Sequence, residues 1–228
     1  MAEKEVLHSG HRQRMRQRFL LSDFDGFAEH EILEVLLYYA IPRIDTNEIA
    51  HRLLHHFGSL SAVFDADPQE LVKVKGVSEH TAVLLKMIPS LARVYLSGKQ
   101  EKHPSLNTAE KMGRYLIEQF VGRTNEVVLL ICLDSSLRLI RCETISEGSV
   151  SSAHVDMKRI AERVIRLNAP CAVLAHNHPR GLAVPSNDDI LITREVKRTL
   201  SALDVKLVDH IVVADGLWCS IIEKYPNL

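Results

Sequence analysis

The chain has almost no net charge and no apolar run of membrane-spanning length. Its 228 residues carry 28 Lys and Arg against 29 Asp and Glu, a formal net charge of −1. No global field therefore draws it onto nucleic acid or anionic lipid. Without about 20 consecutive apolar residues there is no candidate for a spanning helix, and no secretory pattern opens the sequence. The four cysteines, Cys132, Cys142, Cys171 and Cys219, are scattered and form no CxxC pair. That argues against a cysteine-rich structural metal site, and a reducing cytoplasm is the expected compartment. Internal repeats and low-complexity tracts are absent. His30-Glu31 is followed by Glu34 where a HExxH zincin needs a histidine, and the zinc-deaminase pattern is missing.

What is present falls into two textures. Residues 1–104 read as all-helical. His11 to Phe19 places Arg12, Arg14, Arg16 and Arg18 at every second position, which on a helix spreads charge around a solvated surface. A helix from Ala28 buries Ile32, Leu33, Leu36 and Leu37, and another follows Asp45-Thr46 and stops at Gly58. Leu71 to Ala82, with Lys73, Lys75 and Gly76, leads into an apolar helix from Val83 to Leu96. Lys99 to Asn107 is polar, holds a proline, and reads as the linker.

Residues 105–228 interleave helices and strands. Helices are expected over Thr108 to Val121 and Asp156 to Leu167, and a hairpin over Glu126 to Leu133 and Arg138 to Thr144. Cys171 to Ala175 is a short buried strand, and Val205 to Val213 and Leu217 to Ile222 are later ones. The class is α/β, a helical N-terminal domain followed by a mixed sheet with flanking helices.

The chemistry concentrates in His176-Asn177-His178-Pro179 and, after a gap, Ser186-Asn187-Asp188-Asp189. At the end of a strand, residues i and i+2 leave by one face, so both imidazoles can converge on one ion. Asp189 lies in the first turn of a helix from Asp188 to about Leu203 and can swing back to the same point. Two neutral nitrogens and one carboxylate suit Zn²⁺ with a fourth position left open, the catalytic pattern. Each residue also has a structural role available: Ser186 with Asp189 fits a capping box, and Pro179, Gly181 and Pro185 could simply mark a loop.

His-x-His, seven residues, Ser, two residues, Asp resembles the JAMM signature of the JAB/MPN metallopeptidase family. The segments AHNHPRGLAVPSNDD and LVDHIVVADG are similar to its RadC-type bacterial branch, of UPF0758 type, and the resemblance covers essentially the whole chain. It implies a JAB/MPN, cytidine-deaminase-like domain over 105–228, Zn²⁺ on His176, His178 and Asp189, and hydrolysis of an amide or isopeptide bond in a peptide or protein. Ser186 would stabilise the oxyanion. Local spacing leaves Glu126, Glu143 and Glu147 open as the general base; similarity to JAMM proteins favours Glu126, which opens an apolar strand. One departure is Arg180, where the family usually has serine, a change of charge beside the pocket.

The segment around Gly76 resembles a helix-hairpin-helix motif, with Ser78 in place of its second glycine. That supports a rival reading, a DNA-repair or recombination factor binding DNA through residues 1–104, its metal domain structural or regulatory. An ordinary helical hairpin fits the segment equally well. His210 is expected to be a hydrogen-bonded core histidine or one behind the site, and Asp209 to orient part of the site. His51 and His55 are expected at the surface.

Overall fold

The computed structural model describes residues 10–99, 102–148 and 155–228. The chain divides into two compact units, 1–91 and 92–228. The expected fold class is what the structure shows: helices first, then a five-stranded mixed sheet. Among the described residues no helix is long and apolar enough to cross a membrane.

The first unit holds α1 (His11–Ser22), α2 (Glu29–Leu37), α3 (Asn47–Phe57), α4 (Leu60–Asp65), α5 (Pro68–Leu71) and the start of α6 (Glu79–Lys99). Local chemistry sets the boundaries. The Ser59 hydroxyl caps α4 through Ala62 N–H, and Asp67 caps α5 with Pro68 in its first turn. Gly58, at φ 91°, ends α3 as the sequence implied. Leu33 and Leu37 are fully buried with Ile49, Leu53, Leu71 and Leu85.

The arginines of α1 do more than solvate a surface. Arg12 donates to the carbonyls of Ile41, Pro42 and Ile44, and Arg18 pairs with Glu31 at 2.9 Å while lying 3.9 Å over the Phe27 ring. Alternation in sequence could not distinguish these two from Arg14 and Arg16, which stay exposed.

The second unit contains α7 (Ala109–Phe120), β1 (Glu126–Leu133), β2 (Leu139–Gly148), α8 (Met157–Arg166), β3 (Cys171–Asn177), α9 (Asn187–Ser201), β4 (Lys206–Ala214), β5 (Leu217–Ser220) and α10 (Ile221–Lys224). The sheet order is β2-β1-β3-β4-β5. Only β3 and β4 are parallel, and α9 supplies the crossover that a parallel pair requires. Strand parity divides the core. Val128, Leu130, Cys132, Ala172 and Leu174 face α8 and α9, while Leu129, Ile131, Val173 and Ala175 face α7. Burial on both faces explains why β1 and β3 read as unbroken apolar runs.

Two segments differ from expectation. Gln100 and Glu101 of the proposed linker lie outside the described residues, but Pro104 to Leu106 is not loose chain. Leu106 is buried and donates to Leu137 O at 2.8 Å, and Leu139 N–H donates to Pro104 O at 3.0 Å. The last strand ends at Ser220 instead of Ile222. The Ser220 hydroxyl donates to Asp209 at 2.8 Å and caps Glu223 N–H at 3.0 Å, turning the chain into α10.

Candidate metal centre

The parity that divides the core also aims the histidines. His176 continues the Ala172–Leu174 face, toward the layer containing α9. His178 lies just beyond β3 but keeps the ladder going through its N–H to Val213 O at 2.8 Å. Asp189 comes to the same point because α9 starts beside the carboxyl end of β3. Its start is held by a reciprocal cap: Ser186 Oγ accepts from Asp189 N–H at 3.1 Å, and Asp189 Oδ2 accepts from Ser186 N–H at 2.7 Å.

Three side chains therefore meet. His176 Nε2 is 2.9 Å from His178 Nε2 and 3.1 Å from Asp189 Oδ1, and His178 Nε2 is 3.6 Å from Asp189 Oδ2. Tetrahedral ligation with bonds of about 2.0–2.1 Å needs donors roughly 3.3 Å apart, close to all three distances. His178 Nδ1 lies 3.0 Å from Leu182 O. A carbonyl can only accept, so Nδ1 carries the proton and Nε2 presents its lone pair. Gly181 allows this turn, since a Cβ there would lie 3.1 Å from the His178 Cβ. Among the described residues this is the one His, Cys, Asp and Glu grouping that could hold a metal ion.

The charges agree with a cation site. Burial alone would raise the Asp189 carboxyl, but the adjoining His176 and His178 imidazoles outweigh it and hold it far below its ordinary 3.8. His178 is raised above its ordinary 6.5, chiefly by its hydrogen bond to Asp189 and against the effect of burial. Without metal, then, a proton on His178 serves the same demand for positive charge. That proton stabilises the metal-free protein fully below pH 6.5, and the benefit is lost as pH rises through the raised value. The Asp189 contribution works in the opposite sense, present above pH 3.8 and lost toward acid. Divalent metal must displace the His178 proton, so its affinity should fall about tenfold per pH unit below that value. Competitive metal titration between roughly pH 5 and 8 tests this; a flat profile would mean that no imidazole proton is displaced.

A cleft of about 420 Å³ contains these atoms, with Glu126 and Ser186 in its lining. Glu143 instead pairs with Arg163 at 3.0 Å, and Glu147 with Arg123 at 3.7 Å; neither lines the cleft. The Ser186 hydroxyl donates to Asp189 Oδ2 at 2.7 Å, so its proton is already engaged. Arg180 is exposed, at φ 60°, and is not among the cleft residues. His51 stacks on His30 at 4.3 Å and, among the described residues, belongs to no ligand set.

Asp209 reaches the site only through the backbone of His210. Its carboxylate accepts from His210 N–H, Ser220 Oγ and Ile222 N–H, binding β4 to β5 and α10. It is His210 that lies behind His176, their nitrogens 2.9 Å apart, with Thr193 next to it. Burial, reinforced by His176, holds His210 well below its ordinary value and keeps it neutral. Sequence reading passed over Thr193, although its position four residues after Asp189 puts both on one helix face. Also overlooked were Val128, Val155, Leu174 and Ile192, which give the cleft an apolar wall. Asn177, between His176 and His178, accepts from Val127 N–H at 2.7 Å and donates to Asn125 O at 3.0 Å, fixing the backbone on either side of Glu126.

Comparison with known proteins agrees with this architecture. A family model described as a RadC-like JAB domain matches residues 106–225. A UPF0758 protein of Fusobacterium nucleatum is 33% identical over 98% of this chain and 99% of its own length. Another, from Marinomonas sp. strain MWYL1, is 30% identical over 96% of this chain and 98% of its own. On matches of this extent, the chain belongs to the RadC-like family of JAB-domain proteins.

Proposed function

We propose that the second unit is a zinc-dependent hydrolase of the JAMM type, cleaving an amide or isopeptide bond in a peptide or protein substrate. One observation carries the reading: two imidazole nitrogens and a carboxylate converge within a cleft that Glu126 also lines. Nitrogen and oxygen donors in a three-ligand set favour zinc over magnesium or calcium, which take mostly oxygen. When bound, the ion supplies a Lewis acid and makes water a nucleophile near neutral pH.

The remaining roles fall to this chain's side chains. Glu126 takes a proton from the attacking water and returns it to the leaving amine. Ser186 is the proposed donor to the developing oxyanion, which requires its proton to turn from Asp189 Oδ2 toward substrate. The apolar wall of Val128, Val155, Leu174 and Ile192 seats an apolar part of the substrate beside the reacting bond and thins the surrounding water. A reducing cytoplasm suits the four cysteines, all of them unpaired.

The test uses the purified full chain with linear and lysine-branched peptides. Cleavage should be lost on chelation and return with zinc at about one equivalent per chain. Cleavage unaffected by complete metal removal would overturn the proposal.

A second reading, that the first unit contacts DNA, has one observation in its favour. His51, Arg52, His55, His56 and Lys75 line a shallow basic hollow beside Gly76, which adopts φ 97°. Two details count against it. Arg52 Nε donates to Lys75 O at 3.1 Å, and Ser78 Oγ accepts from Thr81 N–H at 3.3 Å, so part of the phosphate-binding equipment is used internally. Duplex DNA affinity that falls steeply with salt would support this reading; no binding at low salt would remove it.

A further inference from the structure

The proton position on His178 follows from one carbonyl; at His176, by contrast, Nε2 lies 3.1 Å from Asp189 Oδ1 and 2.9 Å from His178 Nε2, where a bound cation would sit, and only the partner of Nδ1 stands outside the triad. His176 Nδ1 faces another imidazole, His210 Nε2, at 2.9 Å, and either ring could be the donor. If His210 donated, His176 would carry its proton on Nε2, the atom that must bind metal. The polarity of this one contact therefore decides whether the site has three lone pairs or two.

Two bonds further along, the ambiguity ends. The Thr193 hydroxyl lies 2.6 Å from the backbone carbonyl of Asp189 and 2.7 Å from His210 Nδ1. A hydroxyl has one proton, and a carbonyl oxygen cannot donate. Thr193 must therefore give its proton to Asp189 O and can only accept from His210. His210 then carries its single proton on Nδ1, leaving Nε2 to accept from His176 Nδ1–H, and His176 Nε2 is free of hydrogen. Thr193 and His210 are fully or almost fully buried, so no water can readily substitute for a missing partner.

We propose that Thr193 and His210 form a one-way hydrogen-bond relay, running from His176 to the Asp189 carbonyl, that fixes the metal-binding tautomer of His176. They are positioning residues, and the idea rests on the proposed use of His176 as a metal ligand. The relay ties two ligands together, since it ends on the backbone of the residue whose carboxylate completes the triad. It also leaves the supporting group uncharged, where a carboxylate in the same place would add negative charge to the ligand set.

A β-bulge makes this possible. Ala172 pairs with Leu207 but Val173 pairs with Asp209, so Val208 is an extra residue on β4. Leu207 faces the α8 and α9 layer, whereas Ile211 and Val213 face α7. Regular alternation from Leu207 would have aimed Asp209 at the metal side; the bulge aims His210 there instead.

Thr193→Val keeps the side-chain volume and removes the hydroxyl, while Thr193→Ser restores it. Long-range ¹⁵N–¹H NMR of the metal-free full chain, in mildly alkaline solution where imidazoles are neutral, reads the tautomers. Wild type should show His176 and His210 both protonated on Nδ1. In Thr193→Val, His210 should move its proton to Nε2 and His176 should follow. Zinc affinity, read by competition with a chromophoric chelator, should fall about 10–100-fold, and Thr193→Ser should recover both signatures. A merely structural threonine would lower stability without moving the tautomers, and serine would not rescue it. The relay is overturned if wild-type His176 carries its proton on Nε2, or if Thr193→Val keeps both the wild-type tautomers and the wild-type affinity. Should wild type bind no zinc at all, the hydrolase proposal fails, yet the tautomer pattern still decides the relay. Should Thr193→Val not fold, the wild-type and Thr193→Ser spectra decide it.

Discussion

Replacing Glu126 with glutamine should leave zinc bound and slow amide hydrolysis by about 10²–10⁴-fold, the usual contribution of a positioned general acid–base. Glutamine has nearly the same shape but cannot take a proton from water. The substitution should cost little stability, because Glu126 is half-buried at the first position of β1 and its charge acts only as the smallest of the influences that raise His178. Glu143→Gln offers the contrast. It breaks the Arg163 pair and should lower stability modestly while leaving the chemical step unchanged. Steady-state rates with zinc content measured on the same samples decide between them. Full activity in Glu126→Gln, with loss in Glu143→Gln, would transfer the role to Glu143.

His178→Ala should abolish stoichiometric zinc binding. Three donors become two, and the remaining pair, His176 Nε2 and Asp189 Oδ1, lie 3.1 Å apart with no third to close the site. His178 follows β3 and is half-exposed, so its loss should leave the sheet intact. For wild type, zinc at a hundred times its Kd should add about 2.7 kcal/mol of stability, or about 5–10 °C in unfolding midpoint for a domain of this size. The variant should show no such shift. Calorimetry with and without zinc measures this, and an undiminished shift in His178→Ala would remove the residue from the ligand set.

Much of the fold was legible because the informative patterns are local. The Thr108 cap of α7, the Asp156 cap of α8, the glycine stop of α3 and the Asp134 turn between β1 and β2 depend on neighbours within four residues. The unbroken apolar runs of β1 and β3 already implied strands covered on both faces. The errors arose where a distant partner overrides local pattern. Arg12 and Arg18 looked like solvent-facing charges until carbonyls from Ile41 to Ile44 and the Phe27 ring came beside them. Ile221 and Ile222 looked like strand until Asp209 engaged Ser220 and the chain turned.

His176, His178, Ser186 and Asp189 could be named from spacing alone, since a strand end followed by a capped helix start confines them to one small region whatever the rest of the chain does. Resemblance favoured Glu126 over Glu143 and Glu147, which local spacing left level; the tertiary structure adds that Glu126 lines the cleft while the other two pair with arginines outside it. Tertiary structure also separates His210 from Asp209, neighbours in sequence whose directions are set by one extra residue on β4 against β3. Identity and short-range spacing are written in the chain. The direction of a side chain across a sheet depends on pairing register, which is a property of two strands at once.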